Sequence, residues 1–191
     1  MKNNNNILKI IFVAVLFICV PRLAEAQKVS VSTNALTWVN FGTANLEASV
    51  SVSKHFTIFA GAKYNPWEIE TKSRVVLMNK QTTGYLGAKY WPWHVYSGWW
   101  IGAKAQYQDF AEASLWSKNL VTGQAAGLGL SAGYSIMITP HINLDLGLGG
   151  WGGRVLKYTG YKDLSGIEVD QTGSRNFIFL DNIIVAFAYI F

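Results

Sequence analysis

The chain is poor in cysteine. Its 191 residues hold one, Cys19, which falls in an N-terminal leader. Without that leader there is no disulfide framework and no thiolate metal ligand. A lipid anchor on Cys19 would need small residues before it, but Phe17 and Ile18 are bulky. Long apolar runs are missing too. After residue 26 nothing approaches the ~18 consecutive apolar residues of a transmembrane helix. Charged residues make up only 14%. Removing Lys2, Lys9, Arg22 and Glu25 leaves 13 basic and 10 acidic residues. They are scattered, which argues against a nucleic-acid partner.

The leader has the anatomy of a secretory signal. Lys2 and Lys9 precede an apolar run from Ile10 to Val20, and Ala24-Glu25-Ala26 supplies a small-x-small cleavage site. Residues 1–26 are therefore expected to be removed, leaving 27–191 as one domain. What remains is rich in apolar residues, glycine and aromatics. An exported, apolar chain with no apolar helix points to a membrane β-barrel, because only helices and closed barrels satisfy their backbone groups in lipid.

Period-two alternation supports this reading. Leu46, Ala48, Val50 and Val52 alternate with polar or small residues, as do Phe56, Ile58, Ala60, Ala62 and Tyr64. The same pattern runs through Leu86–Tyr90, Trp99–Tyr107, Leu128–Ile136, Ile142–Leu148 and Ile183–Phe191. A first, less clean strand is expected at about 29–39. A soluble sandwich would alternate likewise, but the connections favour a barrel. Ser53-Lys54-His55, residues 91–97 and Thr139-Pro140-His141 are short; residues 65–80, 109–122 and 152–174 are long and polar. Short periplasmic turns opposite long external loops are the outer-membrane pattern. The expected fold is an all-β, eight-stranded antiparallel up-and-down transmembrane barrel with both termini periplasmic.

Aromatic side chains should mark the membrane borders, where a ring with one apolar and one polar end is favoured. The stretch YWPWHVYSGWW, residues 90–100, places Trp91, Trp93, Tyr96 and Trp99 at the periplasmic border. Trp38, Phe41, Tyr64, Trp67, Tyr107, Phe110 and Phe177 are expected at the opposite one. Phe187, Tyr189 and Phe191 alternate in FAYIF and resemble the signal read by outer-membrane assembly machinery, although Ile184 and Ala186 depart from it.

Three stretches carry a family resemblance: Thr33-Asn34-Ala35-Leu36, Asn45-Leu46-Glu47 and Tyr64-Asn65-Pro66-Trp67, followed by Gly87-Ala88-Lys89-Tyr90-Trp91. With them the chain resembles a family of small Bacteroidota-type outer-membrane proteins known as a domain of unknown function. Members often carry a cysteine-bearing segment in the third external loop, which Tyr158–Ser174 lacks. The resemblance implies an eight-stranded barrel and, through neighbouring genes of some members, a tie to fimbrial assembly. It implies no catalytic residues.

Other motifs point to structure. Gly147 to Gly152 fits GxGxxG, but a dinucleotide site needs a helix next, and Arg154–Asp163 has no helical apolar stripe. Glycines here let side chains cross in a narrow barrel. His55, His94 and His141 all fall in expected periplasmic turns; solvated turn residues are the expected reading, with a weak metal ring the alternative. Parity puts Glu47, Lys63, Lys89, Lys104 and Asp145 on the inward face, where charges must pair. The expectation is a salt-bridged plug, with a narrow pore or ligand pocket as alternative. No cofactor, metal or catalytic set is expected. Partners are outer-membrane lipid and the assembly machinery, the oligomeric state a monomer, and the role structural or interaction-based through external loops. The alternatives are a lipid-modifying enzyme and a soluble periplasmic ligand-binding barrel.

Overall fold

The computed structural model describes residues 28–39, 42–71, 74–113, 120–161 and 169–191. The expected signal peptide, its cleavage site and Phe41 lie outside these residues. The strands are β1 (Val29–Asn34), β2 (Ala44–Ser51), β3 (Phe56–Asn65), β4 (Glu68–Thr71), β5 (Arg74–Tyr90), β6 (Gly98–Ala113), β7 (Leu120–Thr139), β8 (Ile142–Tyr161) and β9 (Val169–Ile190). All pairings are antiparallel. The ring closes because β1 pairs with both β2 and β9, and β3 with both β2 and β5. β4 continues β3 beyond Pro66 and also pairs with β5. Proline has no N–H to give the ladder, and the Asn65 carboxamide oxygen instead accepts the Trp67 N–H at 3.0 Å. The nine segments thus make eight staves of one closed barrel.

The structure departs from the expected boundaries in two places. The first strand stops at Asn34 rather than near 39, and a short helix, α1 (Ala35–Val39), follows. Asn34 is responsible. Its side-chain oxygen accepts the Leu36 N–H at 3.1 Å, which caps the helix, and also the Val185 N–H of β9 at 3.2 Å. The expected long loops are also largely ladder. Pairing continues to Thr71↔Arg74, Ala113↔Leu120 and Tyr161↔Val169. Above the lipid both strand faces can be polar, so alternation fades while backbone pairing persists.

The outward face carries a continuous apolar belt. Leu46, Ile58, Leu86, Ile101, Leu128, Leu130, Leu148 and Ile183 are all exposed. In water that would be a severe aggregation hazard; in lipid it is the required surface. From Phe56 to Tyr64 the belt covers eight steps along β3, roughly 26 Å of strand, which at a tilt of about 40° climbs about 20 Å, most of the apolar band of an outer-membrane barrel. Among the described residues no helix is long and apolar enough to cross a membrane.

The interior is layered. At the turn end Trp91, Val95, Tyr96, Trp100 and Ile190 pack together. Towards the other end Ala125, Trp151 and Val155 pack with Phe110, Tyr158 and Phe177. A charged layer lies between.

Candidate functional site

The charged layer is the first candidate. Glu47, Lys63, Lys89, Lys104 and Asp145 reach it from β2, β3, β5, β6 and β8, and all five line one internal cavity of about 50 Å³. The Lys89 ammonium donates to the Glu47 carboxylate at 2.7 Å. The same ammonium lies 4.9 Å from the ring centres of both Phe59 and Trp100. The Lys104 ammonium lies 5.2 Å from the Tyr85 ring centre. Asp145 accepts a hydrogen bond from the Ser135 hydroxyl. Ring faces carry negative potential, so lysines wedged among them remain solvated in effect.

Around this layer, large inward-facing side chains sit opposite glycines. In register, Phe59 faces Gly87 and Tyr85 faces Gly61. Trp100 faces Gly133, and Phe110 faces Gly123. Trp151 faces Gly129, and Phe177 faces Gly153. Directly opposed Cβ atoms on a sheet stand only ~5 Å apart, so a ring can lie across the lumen only where its neighbour has no side chain. A Cβ added at Gly133 would come within 2.5 Å of the Trp100 ring, and one at Gly61 within 2.4 Å of Tyr85. The glycines of the GxGxxG stretch belong to this packing in β8, with no helix after them.

The turn 91–97 folds into the barrel end instead of lying at the lipid border. Trp91 and Tyr96, expected among headgroups, are buried, with Trp91 only 1% exposed. The Trp91 indole N–H donates to Thr57 at 3.1 Å. The Tyr96 hydroxyl donates to the Lys28 carbonyl at 3.1 Å and shares a hydrogen bond with Ser49 at 3.0 Å. Burial pushes the Tyr96 phenol above its ordinary pKa. Its backbone is left-handed, with φ at 62°, a conformation costing a non-glycine residue ~1–2 kcal/mol. The Asn143 amide holds it by donating to the Tyr96 carbonyl at 2.6 Å. Pro92 and Gly98 allow the inward fold; next to Gly98, Trp93 turns out to solvent.

The remaining border residues divide. Trp93 and Trp99 at the turn end, and Trp38, Tyr64, Trp67 and Tyr107 at the other, are exposed on the outer side. Phe110 and Phe177, expected outside, pack inside against the Trp151 group. The lower girdle also includes residues that the border argument omitted. Phe56 lies 5.0 Å from Tyr90, and Trp99 lies 5.2 Å from Tyr134, ring centre to centre. Phe187, Tyr189 and Phe191 are exposed on the outer face of the closing strand. Tyr189 stacks on His141, and the Phe191 N–H donates to Val29 of the first strand at 2.9 Å. His55 and His141 each bond a backbone carbonyl through Nδ1, those of Trp91 and Ile190. Among the described residues no three potential ligands gather into a metal site.

The motif stretches also meet. The Asn34 N–H donates to the Asn45 side chain at 2.7 Å, and the buried Asn65 amide donates to Thr43 at 2.8 Å. These contacts join β1, β2 and β3 at the end of the barrel away from the turns. A family model described as a protein of unknown function, DUF3575, matches residues 11–191. The chain belongs to that family. The DUF3575 chain matches no curated protein. It is similar to a solved structure, the crystal structure of Neisserial surface protein A, at 15% identity over 86% of this chain and 95% of that one, with a TM-score of 0.37.

Alternation located the charged cluster in this DUF3575 barrel, but it missed the inward aromatics Phe59, Tyr85, Trp100 and Trp151. A signal for them existed. Each lies one residue out of phase with the lipid-facing apolar set, in strands whose partners carry glycine at the opposing position.

Proposed function

We propose that this is a closed outer-membrane barrel that acts through its surface, as a structural or interaction element of the cell envelope, rather than as a pore or an enzyme. Fimbrial or envelope assembly is the setting to which the resemblance points. The observation that carries the reading is the filled lumen: four rings lying over glycines (Tyr85 on Gly61, Phe59 on Gly87, Phe110 on Gly123 and Trp100 on Gly133), the Glu47–Lys89 ion pair and the inward turn at Trp91 and Tyr96 occupy its length. Eight-stranded barrels are narrow enough for side chains to fill. The paired hairpins β4–β5, β6–β7 and β8–β9 rise beyond the apolar belt and offer the surface. The chain's three histidines all lie at the opposite end, away from where a lipid-modifying enzyme would need its base.

The test is conductance. Full chain reconstituted into planar bilayers, and shown to be folded by heat-modifiable migration, is expected to give no channel steps. Replacing Trp91 and Tyr96 together by Ala should still give none, because Phe59, Tyr85 and the Glu47–Lys89 pair, and beyond them the Trp151 group, fill the lumen at other levels. Steps from the unaltered protein would overturn the closed-barrel reading. Orientation is tested separately: a cysteine at exposed Thr172 should label from outside intact cells, and cysteines at Lys54 and Pro140 should not.

A further inference from the structure

The lipid-facing wall is not even. Two apolar concavities, of about 680 and 400 Å³, lie end to end on it and share Leu130, Gly150 and Leu180. Together they make one furrow across β5 to β8. Register explains its floor. Ala88 on β5 stands opposite Ala103 on β6, Ala132 carries the floor to β7, and Gly150 and Gly152 carry it along β8. The banks are Ile101 and Leu148 on one side and Leu130 and Leu180 on the other, all exposed. Lys89 borders the furrow but turns its ammonium inward to Glu47. The furrow also climbs. Ala88 lies two residues from the turn end of β5 at Tyr90, and Gly152 ten from that of β8 at Ile142. Eight strand residues at a tilt of about 40° rise about 20 Å, most of the apolar band. The wider part is the lower one. Its mouth opens beside Phe56 and Tyr90 of the ring girdle, the level at which headgroups lie.

We propose that this furrow holds one acyl chain of a glycerophospholipid, headgroup at the Tyr90 end, as a bound lipid distinct from the mobile annulus. The furrow is continuous with the lipid-facing belt, so hydrocarbon is what covers it. Its shape suits a single chain, being long, narrow and widest at the mouth where the glycerol enters. A second barrel is convex and would rest on Leu130 and Leu180, leaving the floor unfilled. Within a bilayer no hydrophobic force separates chain from wall, so retention comes from packing. A flat wall touches a chain on one side, whereas floor and banks touch it on three. Each carbon–carbon contact is small, but about ten of them amount to roughly tenfold in affinity. That the Tyr90 end faces the periplasmic leaflet rests on the orientation proposed above; which end takes the headgroup does not.

The experiment uses the full chain in proteoliposomes containing phosphatidylethanolamine with a diazirine on one acyl chain, placed near either the carboxyl end or the terminal methyl. After photolysis, the first probe is expected on peptides holding Tyr90 and Ile101, and the second on those holding Gly152 and Ile178. The reverse order, or cross-links spread evenly around the wall, would overturn the proposal. Native mass spectrometry from micelles doped with the unlabelled lipid gives a second readout. One retained adduct is expected, weakened on the order of tenfold when Ala103→Leu/Ala132→Leu fills the floor. Ala48→Leu, at an exposed position on β2 outside the furrow, should leave it unchanged. Equal adducts with the floor filled, or equal loss in Ala48→Leu, would also overturn it. Heat-modifiable migration of every variant establishes that the barrel is folded. Inverted surface labelling would overturn the leaflet, and evenly spread cross-links the furrow, so the two failures are distinguishable.

Discussion

Asn34 and Asn45 bond each other twice: the Asn34 N–H donates to the Asn45 side-chain oxygen at 2.7 Å, and the Asn45 side-chain amide donates back to the Asn34 carbonyl at 3.0 Å. One side chain thereby serves both polar groups of a backbone unit at the place where β1 gives way to α1. The Thr33 hydroxyl adds a bond to the Asn45 carbonyl at 2.9 Å. Replacing Asn45 by Ala strands two partly buried backbone groups, at an expected cost of about 2 kcal/mol. Urea unfolding of the reconstituted barrel measures it; a change within error would mean that other groups or lipid satisfy Asn34 equally well.

Removing the Glu47 carboxylate leaves the Lys89 ammonium among Phe59, Trp100 and the remaining charges. Breaking one side of a buried pair is expensive, so Glu47→Ala should destabilise the barrel by about 3 kcal/mol. Replacing Glu47 and Lys89 together by apolar residues of similar volume should restore most of that. Equal destabilisation in the single and double variants would show that the pair itself contributes little.

Ring-on-glycine packing makes a coupled prediction. Gly133→Ala places a Cβ against Trp100, and overpacking of this kind costs typically ~1–3 kcal/mol. In a Trp100→Leu background the added methyl should cost less, and a double-mutant cycle reads the difference as coupling energy. Strict additivity would locate the strain in the backbone of β8 instead of the indole.

Tyr189 and Phe191 belong to the outer girdle and to the seam between the last and first strands. Replacing both by Ser removes two border rings and weakens the seam, where unsatisfied backbone groups in lipid are costly. The expected outcome is less heat-modifiable protein in the membrane fraction and more protease-sensitive chain. Normal levels of folded barrel in the double variant would exclude these rings from assembly.

Much of this was legible in the chain. Alternation of Phe56, Ile58, Ala60, Ala62 and Tyr64 sets the lipid face by the two-residue period of a strand alone, and the same parity placed Glu47, Lys89 and Asp145 inside. The tight turns at Ser53-Lys54-His55 and Pro140-His141 announce themselves through their residue types. Pairwise register was not legible, because the partner of Trp100 is fixed only when β6 meets β7, and that partner is what decides whether an indole can enter the lumen.

The sequence by itself determined the strand count, the antiparallel class and the apolar belt, since these follow from local periodicity and from the alternation of short and long connections. The tertiary structure alone decided which aromatics face lipid and which fill the barrel. It turned Trp91 and Tyr96 inward, although their residue types suit either place. A ring's environment depends on what stands across the strand and on whether a carbonyl such as that of Tyr96 finds a donor such as Asn143, and both are long-range facts. It also decided that β1 ends at Asn34, because the side-chain oxygen of Asn34 both caps α1 and takes the N–H of Val185, a partner from the far end of the chain.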